Sequence, residues 1–293
     1  MAAKQNPTIR RITLGAELRR LRRACGLTGV QVADQLLISQ PKISLMETGR
    51  RTISPRDVRD LCRLYGVTDQ QVVDALMRMA RESGRRGWWV AYGEVPYAVY
   101  IGLETEASSI RSYEPLLIPG LFQTPAYAAA VVSETIPRPT PAEANTRLEV
   151  RMRRRHRAHH PARPLRLWVV LDESVLHRVV GGPDTMREQL EYLNHLGAQP
   201  HITVQVLPYD AGAHPGVSGQ FSLLHFTGAP DTGTVYLERL TSDLYLEKRA
   251  DVQRYGVMYD HLQAQALSPE DTAHLIIDTI KVHAGRSAAY SSA

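Results

Sequence analysis

The chain has 293 residues, 43% of them hydrophobic, with 35 Lys and Arg against 30 Asp and Glu and a net charge of +5. That length supplies two domains with a substantial core, and no run of about 18 apolar residues offers a bilayer span. The start, MAAKQNPTIRRITLG, has no apolar signal-peptide core, so a cytoplasmic protein without a membrane partner is expected. Two cysteines, Cys25 and Cys62, fall on apolar helix faces and are expected to be reduced, buried thiols. Charge is unevenly spread: residues 1–90 hold 17 Lys and Arg against 8 acids, and the remainder holds 18 against 22. A basic head on a mildly acidic body suits a nucleic-acid module joined to a partner- or ligand-binding module.

Residues 1–12 read as a loose polar arm, with Arg10 and Arg11 either touching phosphate or fraying in solvent. Leu14, Leu18, Leu21 and Cys25 form one apolar stripe, predicting a first helix that Gly26 ends. Thr28 caps a second helix with Val30, Ala33, Leu36 and Leu37 as its inner face. Ile38 turns the chain, and Ser39 caps a third helix that runs to Glu47 and stops at Thr48-Gly49. Ser54-Pro55 opens a fourth helix with Val58, Leu61, Cys62 and Tyr65 inward. Thr68 to Gln71 reads as a capping box for a fifth, which carries Val72, Val73, Leu76 and Met79 to Gly84.

The stretch Leu14 to Arg51 resembles the helix-turn-helix of the Cro/repressor class, the Xre family. The matching residues are Leu14, Leu18, Arg22, Gly26-Leu27-Thr28, Ala33, Ser39, Ile43-Ser44, Glu47 and Gly49. The resemblance implies that helix three lies in the major groove of double-stranded DNA. Ser39 to Leu45 then present the reading side chains. Gln40 is the best base reader, because an amide can bond an adenine edge twice. Lys42 offers a point charge to phosphate or guanine, and Leu45 an apolar contact such as a thymine methyl. Pro41 sits harmlessly at the helix start. Gly29 replaces a Gln that often clamps phosphate, so anchoring falls to Gln31, Ser44, Arg50 and Arg51, and the capping Thr28 is counted with the DNA-binding residues. Glu47 is expected to pair with Arg22 inside the domain. The alternative is a helical scaffold with a solvated basic surface.

Arg85-Arg86-Gly87 marks a boundary, followed by an aromatic connector with Trp88, Trp89, Tyr92, Tyr97 and Tyr100. Val95 to Ile110 is expected to carry one helix, and the connector either stabilises a dimer or joins the intramolecular core. From Leu103 the chain resembles a C-terminal domain of unknown function found in actinobacterial Xre-family regulators. The residues that carry this are 104–110 (ETEASSI), 115–128 (PLLIPGLFQTPAYA), 147–154, 171–176 (LDESVL), 204–209 (VQVLPY), 214–216 (HPG), 235–238 (VYLE) and 266–270 (ALSPE). The architecture implies a developmental or secondary-metabolism regulator, with a small partner protein encoded by a neighbouring gene in an antitoxin-like arrangement.

Read from the residues, this second domain is mixed α/β. Strands are predicted at 165–171, 201–207, 219–226 and 234–240. Helices are predicted at 173–180, 183–196 and 244–266, with a last one from Ser268 and a disordered tail after Gly285. The fold class expected is α+β multidomain: an all-α five-helix head at 1–84, a connector at 85–102, a mixed domain with a small sheet and several helices at 103–283, and a tail at 284–293.

Possible chemistry in the second domain has a plainer reading at each place. The run Arg151 to His160 is an interface or structural helix, or a second phosphate-facing surface. His156 and His160 stand one helical turn apart, as metal ligands can, yet without a nearby Cys or an intervening acid. Solvated histidines are therefore expected and no metal. Asp172-Glu173 reads as a helix start rather than a catalytic pair. His214, in a Gly-rich loop, is either functional or a turn stabiliser. No nucleophile elbow, P-loop or dinucleotide fingerprint occurs, so neither enzyme activity nor a cofactor is expected. The expectation is a sequence-specific DNA-binding regulator, dimeric, whose body binds a partner protein or ligand. The alternatives are an interaction protein devoted to a small cognate protein, and a small-molecule receptor fused to the head.

Overall fold

The computed structural model describes residues 9–49, 51–83, 88–92, 97–135, 139–158, 164–227, 233–239 and 243–291. It is an α+β chain of two compact units, residues 1–106 and 107–293.

The first unit begins with five helices: α1 (Ile9–Ala24), α2 (Gly29–Gln35), α3 (Gln40–Glu47), α4 (Pro55–Leu64) and α5 (Gln70–Ser83). Leu14 and Leu18 of α1 meet Val32, Ala33, Ile43, Met46, Val58, Leu61 and Leu76 in one core. Four expectations change here. The arm expected over 1–12 is corrected at its end: α1 begins at Ile9 and holds Arg11, which is buried and donates to Thr52 Oγ1 at 3.3 Å, while residues 1–8 lie outside the described residues. Val30 and Leu37 lie outside the inner face of α2, because the helix lasts only to Gln35 and Val32 takes the core position. At the start of α5 it is Asp69, not Thr68, that accepts the Gln71 N–H, at 2.8 Å. Cys62 is buried as expected, but Cys25 is exposed, lying just past the end of α1.

A 3-10 turn (Trp88–Tyr92) and α6 (Ala98–Glu106) complete this unit. Trp88 packs edge-on against both Trp89 and Tyr92, and Gly102 of α6 leaves room for the Trp89 indole, 3.3 Å from where a Cβ would stand. The helix expected over 95–110 is therefore corrected: it ends at Glu106, and Ile110 belongs to a strand.

The second unit is built on a six-stranded sheet, β1 (Ser109–Glu114), β2 (Arg166–Asp172), β3 (Ile202–Leu207), β4 (Phe221–His225), β5 (Gly233–Leu237) and β6 (Leu244–Leu246), in the order β3-β2-β1-β4-β5-β6. β1, β2 and β3 are parallel; β4, β5 and β6 add as antiparallel neighbours, with Ser109 opposite Arg166 on one side and His225 on the other. The parallel strands need long crossovers. α7 (Pro125–Thr135) and α8 (Pro141–Ala158) make the first, and α9 (Ser174–His177) and α10 (Pro183–Gly197) the second. α11 (Arg249–Gln265) and α12 (Pro269–Ser291) follow β6.

Tyr113, Val170, Leu207, Phe221, Leu223 and Val235 form one sheet face and close over Tyr259 and Leu262 of α11. The Tyr259 hydroxyl also donates to the Trp168 carbonyl at 2.7 Å. The helix expected over 173–180 is only the single turn of α9, ended before Gly181-Gly182, both of which have positive φ. The long helix expected from Leu244 starts at Arg249, since Leu244–Leu246 pairs with β5. The tail expected to be disordered after Gly285 is also corrected. α12 continues to Ser291, and Ser287 donates to Asp184 of α10 at 2.8 Å, which ties its last turns down.

Candidate nucleic-acid interface

α3 is a short helix held from behind. Ile43 and Met46 point into the core of the first unit, while Gln40, Pro41, Ser44 and Leu45 are exposed on the other side. Its C-terminal end is clamped to α1. Arg22 donates from Nε and Nη2 to the two Glu47 oxygens at 2.5 and 2.9 Å, and from Nη1 to the Leu27 carbonyl at 2.7 Å. This is the pairing expected from the sequence, and as a two-pronged, half-buried fork it is among the stronger side-chain contacts. Gly15 makes the approach possible: a Cβ there would stand 2.4 Å from the Met46 carbonyl oxygen. Neither sequence periodicity nor composition marks Gly15 for this role.

The start of α3 is held differently. Ser39 is its N-cap, but its hydroxyl makes no capping bond and is exposed. Lys42, expected to offer a free charge, is half-buried and lies 3.6 Å from Asp57. Burial raises the Asp57 pKa, but the hydrogen bonds from Ser54 and the Lys42 charge outweigh it and hold the carboxyl below its usual range. Lys42 therefore ties α3 to the capping box of α4, in which Ser54 and Asp57 cap each other. The pairing needs two helices brought together and has no local signal.

Thr28 and Gln31 form the capping box of α2. Gln31 N donates to Thr28 Oγ1 at 3.2 Å, and Gln31 Oε1 accepts the Thr28 N–H at 2.8 Å. This occupies the Thr28 hydroxyl and leaves the Gln31 Nε2 to donate outward. Gly29 adds space beside Gln40, whose Nε2 is 3.9 Å from where a Cβ would be. Arg51 is exposed after α3, with its own N–H donating to the Leu45 carbonyl at 3.0 Å; Arg50 lies outside the described residues. Between α2 and α3, Leu37 is 92% exposed at φ +54°, a conformation L residues other than Asn and Asp rarely adopt. Leu37 was expected inside; it stands instead exposed in the turn between α2 and α3.

The Arg-rich run of α8 turns inward, in keeping with the structural reading. Arg151 donates to Gln123 Oε1 at 2.7 Å, Arg154 is buried, Arg155 stacks 4.7 Å over Tyr192, and Arg157 donates to the Ala107 carbonyl at 2.6 Å. Arg153 and His156 remain exposed; His159 and His160 lie outside the described residues. Among the described residues no group of three or more His, Cys, Asp or Glu stands close enough to hold a metal. His214 stabilises its turn, with Nδ1 accepting the Gly216 N–H at 3.2 Å. Asp172 accepts the Ser174 N–H at 3.0 Å, as a helix start does. No helix of the described residues is long and apolar enough to cross a membrane.

Residues 13–76 match a helix-turn-helix domain, which points to a DNA-binding regulator. No curated protein and no solved structure matches the chain. Residues 97–278, more than half of the chain, match the domain of unknown function DUF5753, and the chain belongs to that family, carrying it behind a helix-turn-helix head.

Proposed function

We propose that this protein is a sequence-specific transcription regulator of the Xre, Cro/repressor, kind, working as a homodimer in the cytoplasm beside the nucleoid. Its second unit is a non-catalytic effector module that binds a partner protein or ligand. In the actinobacterial, antitoxin-like form of this reading the partner is a small protein from a neighbouring gene. The observation that carries the reading is the two-sidedness of α3: Ile43, Met46 and Glu47 lock it from behind while Ser39, Gln40, Ser44 and Leu45 stand in solvent. Charge supports it, since the excess of Lys and Arg lies in the first 90 residues.

Gln40 reads a base edge, Leu45 offers an apolar contact to a thymine methyl, and Arg50 and Arg51 with the Gln31 Nε2 take phosphate. Two copies of α3 then lie about 34 Å apart on a near-palindromic site. The test is fluorescence anisotropy of the purified protein on its own upstream DNA against shuffled DNA, over a salt series. Gln40→Ala is expected to relax preference at one base position, by about 1–3 kcal/mol. Arg51→Ala is expected to weaken all sequences alike and to lower the salt slope by about one unit. Parent-like binding by both variants would mean that α3 is not the reading helix.

A further inference from the structure

One side of the sheet is polar where it is buried. On the side that meets α11, β4 and β5 present Phe221, Leu223, Val235 and Leu237 to an apolar core. Alternation puts the remaining side chains of these strands on the opposite side. There Ser112, Ser222 and Tyr236 lie in one row across β1, β4 and β5, with Thr234 two residues before Tyr236. All four are buried, Ser222 to 7% exposure and Thr234 to 3%. Among the described residues the hydroxyls of Ser222 and Thr234 have no hydrogen-bond partner, yet neither oxygen is sealed off. Both therefore open onto a space that admits a water-sized group. A buried hydroxyl costs free energy until something supplies its bonds, and on a sheet face these two stand where a ligand would supply them.

The next row carries charge. Glu114, Gln220 and Glu238 continue the same side beyond Ser112, Ser222 and Tyr236, and the Gln220 amide donates to Glu238 at 3.2 Å. Glu114 is half-buried and Glu238 exposed, so the site deepens from Glu238 towards β1. Two strand spacings put Glu114 about 10 Å from Glu238, and the two rows lie about 7 Å apart, which suits a small molecule. Burial, with the Glu238 charge, keeps a proton on the Glu114 carboxyl against the pull of Ser112 and of the buried Arg154 guanidinium. Even with Arg154 nearby, then, the pair of carboxyls takes up one more positive charge, and a ligand cation can replace the proton. Hydroxyls, which both donate and accept, match hydroxyls of a ligand.

We propose that this face binds a small polyhydroxylated amine, its ammonium between Glu114 and Glu238 and its hydroxyls on Ser222 and Thr234. The inference rests on the reading that the second unit is an effector module, and it adds where the effector sits and what chemistry it has. On binding, the ammonium displaces the Glu114 proton to solvent.

The test is isothermal titration calorimetry of the full chain at pH 7 with D-glucamine. D-sorbitol, which has the hydroxyls without the amine, and n-butylamine, which has the amine without the hydroxyls, are the controls. Glucamine is expected to bind at least about tenfold more tightly than either. It should also release about one proton, read from how the heat varies with the ionisation enthalpy of the buffer. Glu114→Gln should abolish both the proton release and the advantage over sorbitol. Ser222→Ala with Thr234→Ala should weaken glucamine about fivefold and leave butylamine unchanged. Either control binding as tightly as glucamine, binding without proton release, indifference to both sets of substitutions, or no heat at millimolar glucamine would overturn the proposal. DNA binding by anisotropy on the same preparations tests the regulator reading by itself.

Discussion

Replacing Gly15 with alanine should loosen α3 from the body of the first unit. In an ordinary helix interior the change from glycine to alanine stabilises by about 0.8–1.0 kcal/mol. Here a Cβ would lie 2.4 Å from the Met46 oxygen and 2.8 Å from the Glu47 oxygen, both backbone atoms that cannot swing aside. A carbon beside a carbonyl oxygen settles at about 3.3 Å or more, so α1 and α3 must part by about 1 Å. That shift strains the Arg22–Glu47 fork and the packing of Leu14, Leu18 and Met46 together. Overpacking of this kind costs about 1–3 kcal/mol, and the propensity gain offsets only part of it. From the middle of that range the expected net loss is about 1 kcal/mol, a sizeable share of the stability of a small unit. Urea unfolding followed by circular dichroism measures it, and anisotropy on the protein's own upstream DNA tests whether displacing α3 weakens binding, as the proposed function requires. A Gly15→Ala protein as stable as the parent, or more so, would refute the reasoning that backbone contact holds α3.

Leu37→Gly should be neutral to about 1 kcal/mol stabilising, because relief of the left-handed strain at φ +54° exceeds the added freedom of the unfolded chain. Leu37→Val should destabilise; a thermal melt in which valine outperforms glycine would contradict this. Glu114 supplies a pH test. Burial first, and then the charge of Glu238, push its pKa up to about 8, against a hydrogen bond from Ser112 and the Arg154 charge, which pull it down. Between its unfolded value near 4.5 and about 8, the folded state keeps a proton that the unfolded chain has released. Stability contributed by this group is thus present at low pH, falls as pH rises through that window, and is flat above it. Glu114→Gln should remove that slope, leaving the variant about 3–4 kcal/mol better relative to the parent at pH 8 than at pH 5. Parallel denaturation midpoints for the two proteins across that range would count against a protonated Glu114.

The head was largely readable from its residues because its signals are local. Capping at Thr28 and Ser54 and the stripe from Leu14 to Leu18 depend only on neighbours in the chain. The pairing of Arg22 with Glu47 followed from the family resemblance and not from pattern. What failed was extrapolation of helical period past a real end: Leu37 was placed inside because α2 was assumed to continue beyond Gln35. Lys42 looked free because its partner Asp57 sits on another helix. In the second unit, β2 and β3 announce themselves as apolar runs, as buried parallel strands do. β1 does not: four of the six residues of SIRSYE are polar, and it is a central strand only because β2 and β4 flank it. β6, three residues long, carries too little pattern to be seen.

The position of β1 also has a consequence for how the chain emerges from the ribosome. One side of β1 pairs with β4, whose last residue, His225, is opposite Ser109. At about 5–20 residues per second, the roughly 110 residues between Glu114 and His225 take on the order of 5–20 s to synthesise. For that time the strand that will be central has an uncovered hydrogen-bonding edge, the condition in which nascent sheets recruit each other. Arg111, Ser112 and Glu114 then act as gatekeepers. The polar residues that hide β1 from a reader of the sequence also hide it from other nascent chains.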